Sequence, residues 1–457
     1  MNKKKFEQYK KMLRFFASML LIVCTAIVFL VFWSDNYNAG IVFPFYYKGY
    51  LLVGAFYVFF FVIFMYIYGG MKYGYLKKTN IIFSQILSLL CANAAIYLET
   101  VLLSARFVPI FPMVKITVVQ GIIIAIYSFV LDRVFKMLFP PHKITVLYEK
   151  YDPSVMLRKV GTRKDRYRIK EAVKVDIEWS ELQKIIDGSE AVMIYDISAE
   201  VRNKIVKYCY EKDIRVYLTP KISDILIRSS ENMHLFDTPL LLMRNNGMSF
   251  EDRLMKRLLD IVVSVVVIVV TSPIMLVIAI AIKAYDKGPV FFKQKRCTLD
   301  GEVFEIHKFR SMIVDAEKDG ISIPASEKDP RITPVGNIIR ATRLDELPQI
   351  FDILSGKMSL VGPRPERIEH VEKYTKDIPE FAYRLKVKGG LTGYAQIYGK
   401  YNTTAYDKLK LDLMYIQNYS ILLDLKLILM TVKIIFMKES TEGFDETQIQ
   451  DIQKDIK

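Results

Sequence analysis

Four stretches, at about residues 13–33, 50–68, 81–103 and 110–131, are apolar over close to the ~20 residues that a helix needs to cross a hydrocarbon core. Such runs constrain the chain more than any other feature, because each must be buried in lipid or in a very large core. The 52% hydrophobic content and the mean hydropathy of +0.21 favour lipid. We therefore expect a membrane protein whose residues 1–142 form a region of four transmembrane helices. The first run is too long, and lacks the small-residue cleavage site, to read as a cleaved signal peptide.

Lys and Arg accumulate on the cytoplasmic side of membrane helices. Lys3, Lys4, Lys5, Lys10, Lys11 and Arg14 precede the first run, Lys72, Lys77 and Lys78 separate the second from the third, and Arg133, Lys136 and Lys143 follow the fourth. The alternate loops carry only Lys48 and Arg106. Both ends of the four-helix region, and the chain that follows it, are thus expected in the cytoplasm. The net charge of +15 suits anionic headgroups, nucleotide phosphates or nucleic acid without choosing among them. Cys24, Cys91, Cys209 and Cys297 are far apart and form no CxxC pair, so they read as core thiols rather than a disulfide framework or a zinc site.

Residues 143–245 change pattern. "KITVLY", "AVMIYDI" and "IRVYLT" read as buried strands, and "AEVRNKIVKYCYEKD" reads as an amphipathic helix between two of them, which predicts a small Rossmann-like parallel α/β module. A dinucleotide site needs a glycine-rich turn after the first strand; here that turn is "YEKYDPSV", without glycine. The expectation is a structural or regulatory module without cofactor, and a nicotinamide-dependent oxidoreductase or epimerase is disfavoured.

The next apolar run, "RLLDIVVSVVVIVVTSPIMLVIAIAIK", is interrupted by Ser272 and Pro273. Proline removes a helical donor and clashes with the preceding turn. Arg253, Lys256 and Arg257 precede the run and Lys283, Lys287, Lys293, Lys295 and Arg296 follow it, so the charge rule favours the cytoplasm at both ends. A re-entrant helix over about residues 254–283, breaking at Ser272-Pro273, satisfies both flanks; a fifth, kinked span is the other reading. Further on, "ILLDLKLILMTVKIIFMK" is broken too often by Asp424, Lys426 and Lys433 for a span and suits a helix lying on the bilayer, or one packed on the core.

The chemistry concentrates in residues 250–457. A β-hairpin turning at Asp300-Gly301 would present Lys308 and Arg310 on one strand face. "RATRLDELPQIFDILSGKMSLVGPRP" puts adjacent Asp345 and Glu346 among Arg340, Arg343 and Arg364. Neighbouring helical residues point about 100° apart, so this pair cannot flank a bond as glycosidase carboxylates do. A carboxylate can attack phosphorus to give an acyl phosphate when cations neutralise the phosphate, and Lys308, Arg310, Arg340, Arg343 and Arg364 supply them. Considered alone, the cluster also reads as a salt-bridged surface helix. None of the scattered histidines, His142, His234, His307 and His370, has a partner at ligand spacing, and none is assigned a catalytic role.

"RLDELPQIFDILSGKMSLVGPRPE", with "KFRSM", "GLTGYAQI" and the Ser-Pro break, resembles the bacterial sugar transferase family, the monotopic phosphoglycosyl transferases, over roughly residues 250–440. The four N-terminal helices and the module resemble its long forms, the polyprenyl glycosylphosphotransferases of exopolysaccharide and capsule assembly. The resemblance implies that Asp345 attacks the β-phosphorus of a UDP-sugar, expelling UMP, and that undecaprenyl phosphate then takes the sugar phosphate. It implies that Glu346 binds Mg2+, and that Pro363, Arg364 and Pro365 shape a phosphate pocket with "GLTGYAQI" as a wall near the membrane. Tyr394 stands where family members commonly have Trp. The partners implied are the UDP-sugar, undecaprenyl phosphate and the bilayer of a bacterial plasma membrane; a homodimer is compatible and nucleic acid is not expected. A non-catalytic membrane scaffold or nucleotide-sensing regulator is the alternative, and it has no need of two carboxylates in a cationic setting.

Overall fold

The computed structural model describes residues 7–243, 247–314, 329–400 and 403–435; the end of the expected catalytic region, 436–457, lies outside them. Two compact units divide the chain, one running to Thr219 and the next beginning at Pro220.

In the first unit the four apolar runs lie in helices α1 (Lys10–Asn36), α2 (Lys48–Tyr68), α3 (Lys78–Ser104) and α4 (Phe111–Leu138), each long and apolar enough to cross a membrane. Their buried faces join through aromatic packing, with the Phe29 and Tyr57 rings stacked at 4.4 Å. Polar side chains also pair between helices: Trp33 donates to Thr100 at 3.0 Å, Asn93 to Thr117 and Gln120, and Gln120 to Tyr57 and to the Thr25 carbonyl. Lipid gives helices no hydrophobic reason to associate, so packing and hydrogen bonds of this kind are what hold a bundle in it.

The same unit carries a sheet of β1 (His142–Tyr148), β2 (Tyr167–Lys174), β3 (Ala191–Tyr195) and β4 (Arg215–Leu218), in the order β2-β1-β3-β4 with all pairs parallel. α5 (Ser154–Gly161), α6 (Trp179–Asp187) and α7 (Ala199–Glu211) connect the strands. Leu147, Val192 and Ile194 bury one face with α6 and α7, while Ile144, Val146 and Met193 bury the other with Leu157 and Val160 of α5. β2 escaped the sequence pattern because "YRIKEAVK" alternates half-buried and exposed residues, as an edge strand can. The main-chain N–H of Ser198, at the start of α7, donates to the Glu149 carboxylate of the glycine-free β1–α5 turn.

The second unit opens with α8 (Ile222–Arg228), whose Ile222 and Ile225 belong to its core. The boundary therefore falls well before residue 245, where the strand-and-helix pattern ends. β5 (Glu231–Leu235) and β6 (Thr238–Leu242) form a hairpin exposed along both strands. α9 then runs unbroken from Phe250 to Asp286, without a helix end at Ser272-Pro273. Pro273 cannot donate to the Val269 carbonyl, and the Ser272 hydroxyl donates to it instead at 3.1 Å.

β7 (Phe291–Cys297) and β8 (Val303–Phe309) form the expected antiparallel hairpin; Asp300 and Gly301 both have positive φ in its turn. Then follow α10 (Pro334–Ala341), α11 (Gln349–Leu354), β9 (Ser359–Val361), α12 (Ile368–Asp377), β10 (Gly390–Thr392), α13 (Tyr394–Tyr398), α14 (Ala405–Gln417) and α15 (Ile421–Ile435). β9 and β10 pair in parallel, and a Cβ on Gly362 just beyond β9 would collide with the Lys388 carbonyl. α15 packs on the core through fully buried Leu427. Asp424 points inward to Lys256 at 2.6 Å, so the charge that suited a bilayer surface in the sequence is satisfied inside the protein.

Candidate active site

α9 is the beam on which the site is built. Before the proline, Arg257 donates to the Ile353 and Leu354 carbonyls, both at 2.7 Å, satisfying the end of α11. One turn on, Asp260 accepts from Ser359 and from the Leu360 N–H of β9. After the proline, Met275, Ile278 and Ile282 pack with Phe309 and Ile339, and Leu344 and Leu347 sit against that cluster. These two leucines bracket the carboxylate pair.

Arg343 lies in the left-handed region, φ 56°, so the chain turns sharply after α10. Leu344–Glu346 then make one turn of 3-10 helix, with Leu344 turned to the apolar floor and the two carboxylates close to the basic side chains. Lys308 of β8 donates to Glu346 Oε1 at 2.9 Å, and Arg364 donates to the same oxygen at 2.6 Å. Burial pushes the Glu346 carboxyl up, but Arg364 and Lys308 outweigh it and hold the carboxyl far below the ordinary range. Burial raises Asp345, and the negative Glu346 beside it raises it further against the pull of Lys308 and Arg340. Adjacent carboxylates are thus driven in opposite directions, one into a locked anion and the other toward greater basicity.

Of the residues singled out in the sequence, Asp345, Glu346, Lys308 and Arg364 meet in one place. Arg340 acts on Asp345 through its charge. Arg343 is exposed and makes no ion pair among the described residues. Arg310 parts company with Lys308: it forms a double hydrogen bond with Asp286 at the end of α9. Strand alternation put the two cations on one face, but β8 ends at Phe309 and Arg310 has already left it. Pro363 contributes main chain, its carbonyl accepting from the Gly390 N–H at 2.9 Å.

Other residues matter that the sequence did not single out. Buried Asp352 accepts from the His307 main chain at 2.9 Å and pairs with the His307 ring at 2.7 Å, fastening β8 to α11. His307 is accordingly a structural tie. Arg384 and Asp412 form a buried pair at 2.8 Å behind the Arg364 loop. Residues this distant in the chain leave no local pattern. Glu366 ends the motif "GPRPE", but its partners Lys408 and Arg384 lie too far along the chain to be read from it.

Residues 251–438 match the bacterial sugar transferase family. Over 185 residues the chain is 40% identical to the UDP-glucose:undecaprenyl-phosphate glucose-1-phosphate transferase of Caulobacter vibrioides, a stretch that takes in 39% of this chain and 68% of that protein. The chain belongs to the bacterial sugar transferases. Two other relatives are matched over a smaller share of their own length. The UDP-glucose:undecaprenyl-phosphate glucose-1-phosphate transferase of Klebsiella pneumoniae is 46% identical over 211 residues, 45% of this chain and 43% of its own. The UDP-N-acetylgalactosamine-undecaprenyl-phosphate N-acetylgalactosaminephosphotransferase of Aeromonas hydrophila is 36% identical over 271 residues, 57% and 62%. The chain spans about half the length of these two curated relatives. Asp345, Glu346, Lys308 and Arg364 all lie within the part of this sugar transferase that matches its family.

Proposed function

We propose that this chain transfers a sugar 1-phosphate from a UDP-sugar to undecaprenyl phosphate at the cytoplasmic face of a bacterial plasma membrane, as the first membrane step of exopolysaccharide or capsule repeat-unit assembly. The observation that carries the reading is the contrast between Asp345, raised by burial and its negative neighbour and without an ion pair among the described residues, and Glu346, locked by Lys308 and Arg364. The relatives' names support the same class of reaction.

In the first step an Asp345 carboxylate oxygen bonds to the β-phosphorus of the UDP-sugar, and the bond from that phosphorus to the bridging oxygen breaks, so that UMP leaves with the electron pair. In the second, an undecaprenyl phosphate oxygen bonds to the same phosphorus and the Asp345–phosphorus bond breaks, restoring the carboxylate. A more basic carboxylate is a better nucleophile, which is what burial and Glu346 do for Asp345. Lys308, Arg340 and Arg364 meet the charge of the diphosphate; Arg310 is committed to Asp286 and serves that loop.

Mg2+ is the cofactor proposed. Among the described residues there is no group of three or more His, Cys, Asp or Glu side chains suited to hold a metal. The donor set fits an ion that takes one or two carboxylates and completes its shell with substrate phosphate and water. Glu346 would hold it, and once bound it would neutralise diphosphate charge.

α9 is proposed to bend at Ser272-Pro273 within the membrane and return, its helical run continuing through the bend. Its 37 residues measure about 55 Å at 1.5 Å each, against a hydrocarbon core of about 30 Å. Yet the part before Pro273 and the part after it both pack on the same unit, which supports both flanks lying on one side. Val262, Val266, Val269, Val270, Val277 and Ile280 are left exposed and suit lipid.

The test is to incubate bilayer-embedded protein with undecaprenyl phosphate, Mg2+ and a panel of UDP-hexoses, and to measure UMP. Release with at least one sugar is expected. No release from any of them, with the lipid shown to be accessible, overturns the reading.

A further inference from the structure

The loop after β9 has no regular structure, yet each carbonyl from Pro363 to Glu366 accepts a hydrogen bond from elsewhere in the unit. Pro363 accepts from the Gly390 N–H at 2.9 Å, Arg364 from the Arg384 guanidinium at 2.9 Å, Pro365 from the Arg296 guanidinium at 3.0 Å and Glu366 from the Cys297 N–H at 3.0 Å. Two of the four residues are proline and have no N–H to place. Such a loop has very little freedom, and the only side chain it sends to the carboxylate pair is that of Arg364.

Among the four donors Arg384 stands apart. It is 2% exposed and lies in the 3-10 turn Pro379–Lys386. Its Nε and one terminal nitrogen both reach Asp412 of α14, and that same terminal nitrogen donates to the Arg364 carbonyl. Its other terminal nitrogen lies 3.5 Å from Glu366, which is also paired with Lys408 of α14. Burying a guanidinium this deeply is costly unless its hydrogen bonds are met. Asp412 and Glu366 meet the charge, and a further donor is spent on the main chain of the loop residue whose side chain grips Glu346.

We propose that Arg384, held by Asp412, is a positioning residue: by fixing the Arg364 carbonyl it sets where the Arg364 guanidinium stands against Glu346 and the incoming diphosphate. This rests on the transferase reading given above. An arginine side chain can swing through several ångströms if its main chain shifts, and charge stabilisation of a transferring phosphoryl group depends on donors fixed before the reaction. Arg384 acts at second hand and does not touch the reacting atoms.

The experiment uses the full chain in nanodiscs, as wild type, Arg384→Gln, Arg364→Gln and the double variant. Arg384→Gln is expected to lower kcat for UMP release at least tenfold while changing KM for the UDP-sugar less than threefold. In the Arg364→Gln background the same change should cost less than twofold more, because the residue it positions is gone. Hydrogen exchange of the peptide spanning residues 358–367 should be faster in Arg384→Gln than in wild type. Where Arg384→Gln does not fold, Arg384→Lys keeps a cation opposite Asp412, and the same three readouts apply. Full multiplicative losses in the double variant, or unchanged exchange in that peptide, overturn the positioning role. A wild-type protein inert toward every UDP-sugar overturns the transferase reading instead, and the exchange measurement still decides whether Arg384 holds the loop.

Discussion

Asp345 and Glu346 are neighbours in sequence and differ in almost everything the fold gives them. Glu346 receives two cations on one oxygen, whereas Asp345 receives burial and a negative neighbour. The pair was legible from its setting of arginines and its resemblance to family motifs, but the division of labour was not, because it depends on Lys308 arriving from β8 and Arg364 from the loop after β9. Arg310 shows the converse failure: spacing of two on a strand is a good rule only while the strand lasts. If Glu346 shares the metal, Glu346→Gln should lower kcat on the order of a hundredfold and raise the Mg2+ concentration for half activity. Titrating activity with Mg2+ checks this, and an unchanged Mg2+ dependence would assign Glu346 to charge balance alone.

Among the elements, α9 does most to bring the site together. Its length and its apolar composition were plain in the sequence, as was the proline; the helical run continues past that proline, and the Ser272 hydroxyl donates to the Val269 carbonyl that Pro273 cannot reach. What composition could not reveal is that Lys256, Arg257 and Asp260 are spent on the unit's own core, and are thus poor guides to the headgroup side. The topology must be measured. Single cysteines at Glu251 and at Lys287, in a background without the four native ones, should both react only with impermeant thiol reagent on the cytoplasmic side. Reaction of the Lys287 position from outside would turn α9 into a span. β2 and the β5–β6 hairpin lay beyond the sequence reading for a shared reason: a strand with no fully buried face has no apolar alternation to show.

At the scale of the molecule, each unit carries its own core and buried polar pairs tie distant parts of it together. In the second unit, Lys256 of α9 and Asp424 of α15 meet at 2.6 Å, with Tyr415 donating to the same carboxylate and accepting from the same ammonium. Removing one partner of such a pair leaves a buried charge alone and costs about 3–5 kcal/mol, whereas replacing both by apolar groups can be neutral. Asp424→Ala should therefore destabilise the protein strongly in thermal or denaturant unfolding, and Lys256→Met with Asp424→Leu should recover most of the loss. Equal losses in both would remove the pair from the account of stability. The apolar helices, the parallel strands and the charged stretches were legible because each has its own pattern; that Ile222 and Ile225 belong to the second unit was not, because they choose their core by packing. The central claim, that Asp345 takes the sugar phosphate, is tested most directly by intact-mass measurement of protein incubated with UDP-sugar and Mg2+ in the absence of undecaprenyl phosphate. Wild type should gain the mass of one sugar phosphate, located on the peptide containing Asp345 and discharged when undecaprenyl phosphate is added, while Asp345→Asn should gain none; an adduct on the Asn variant, or UMP release by wild type with no adduct at any time, would contradict it.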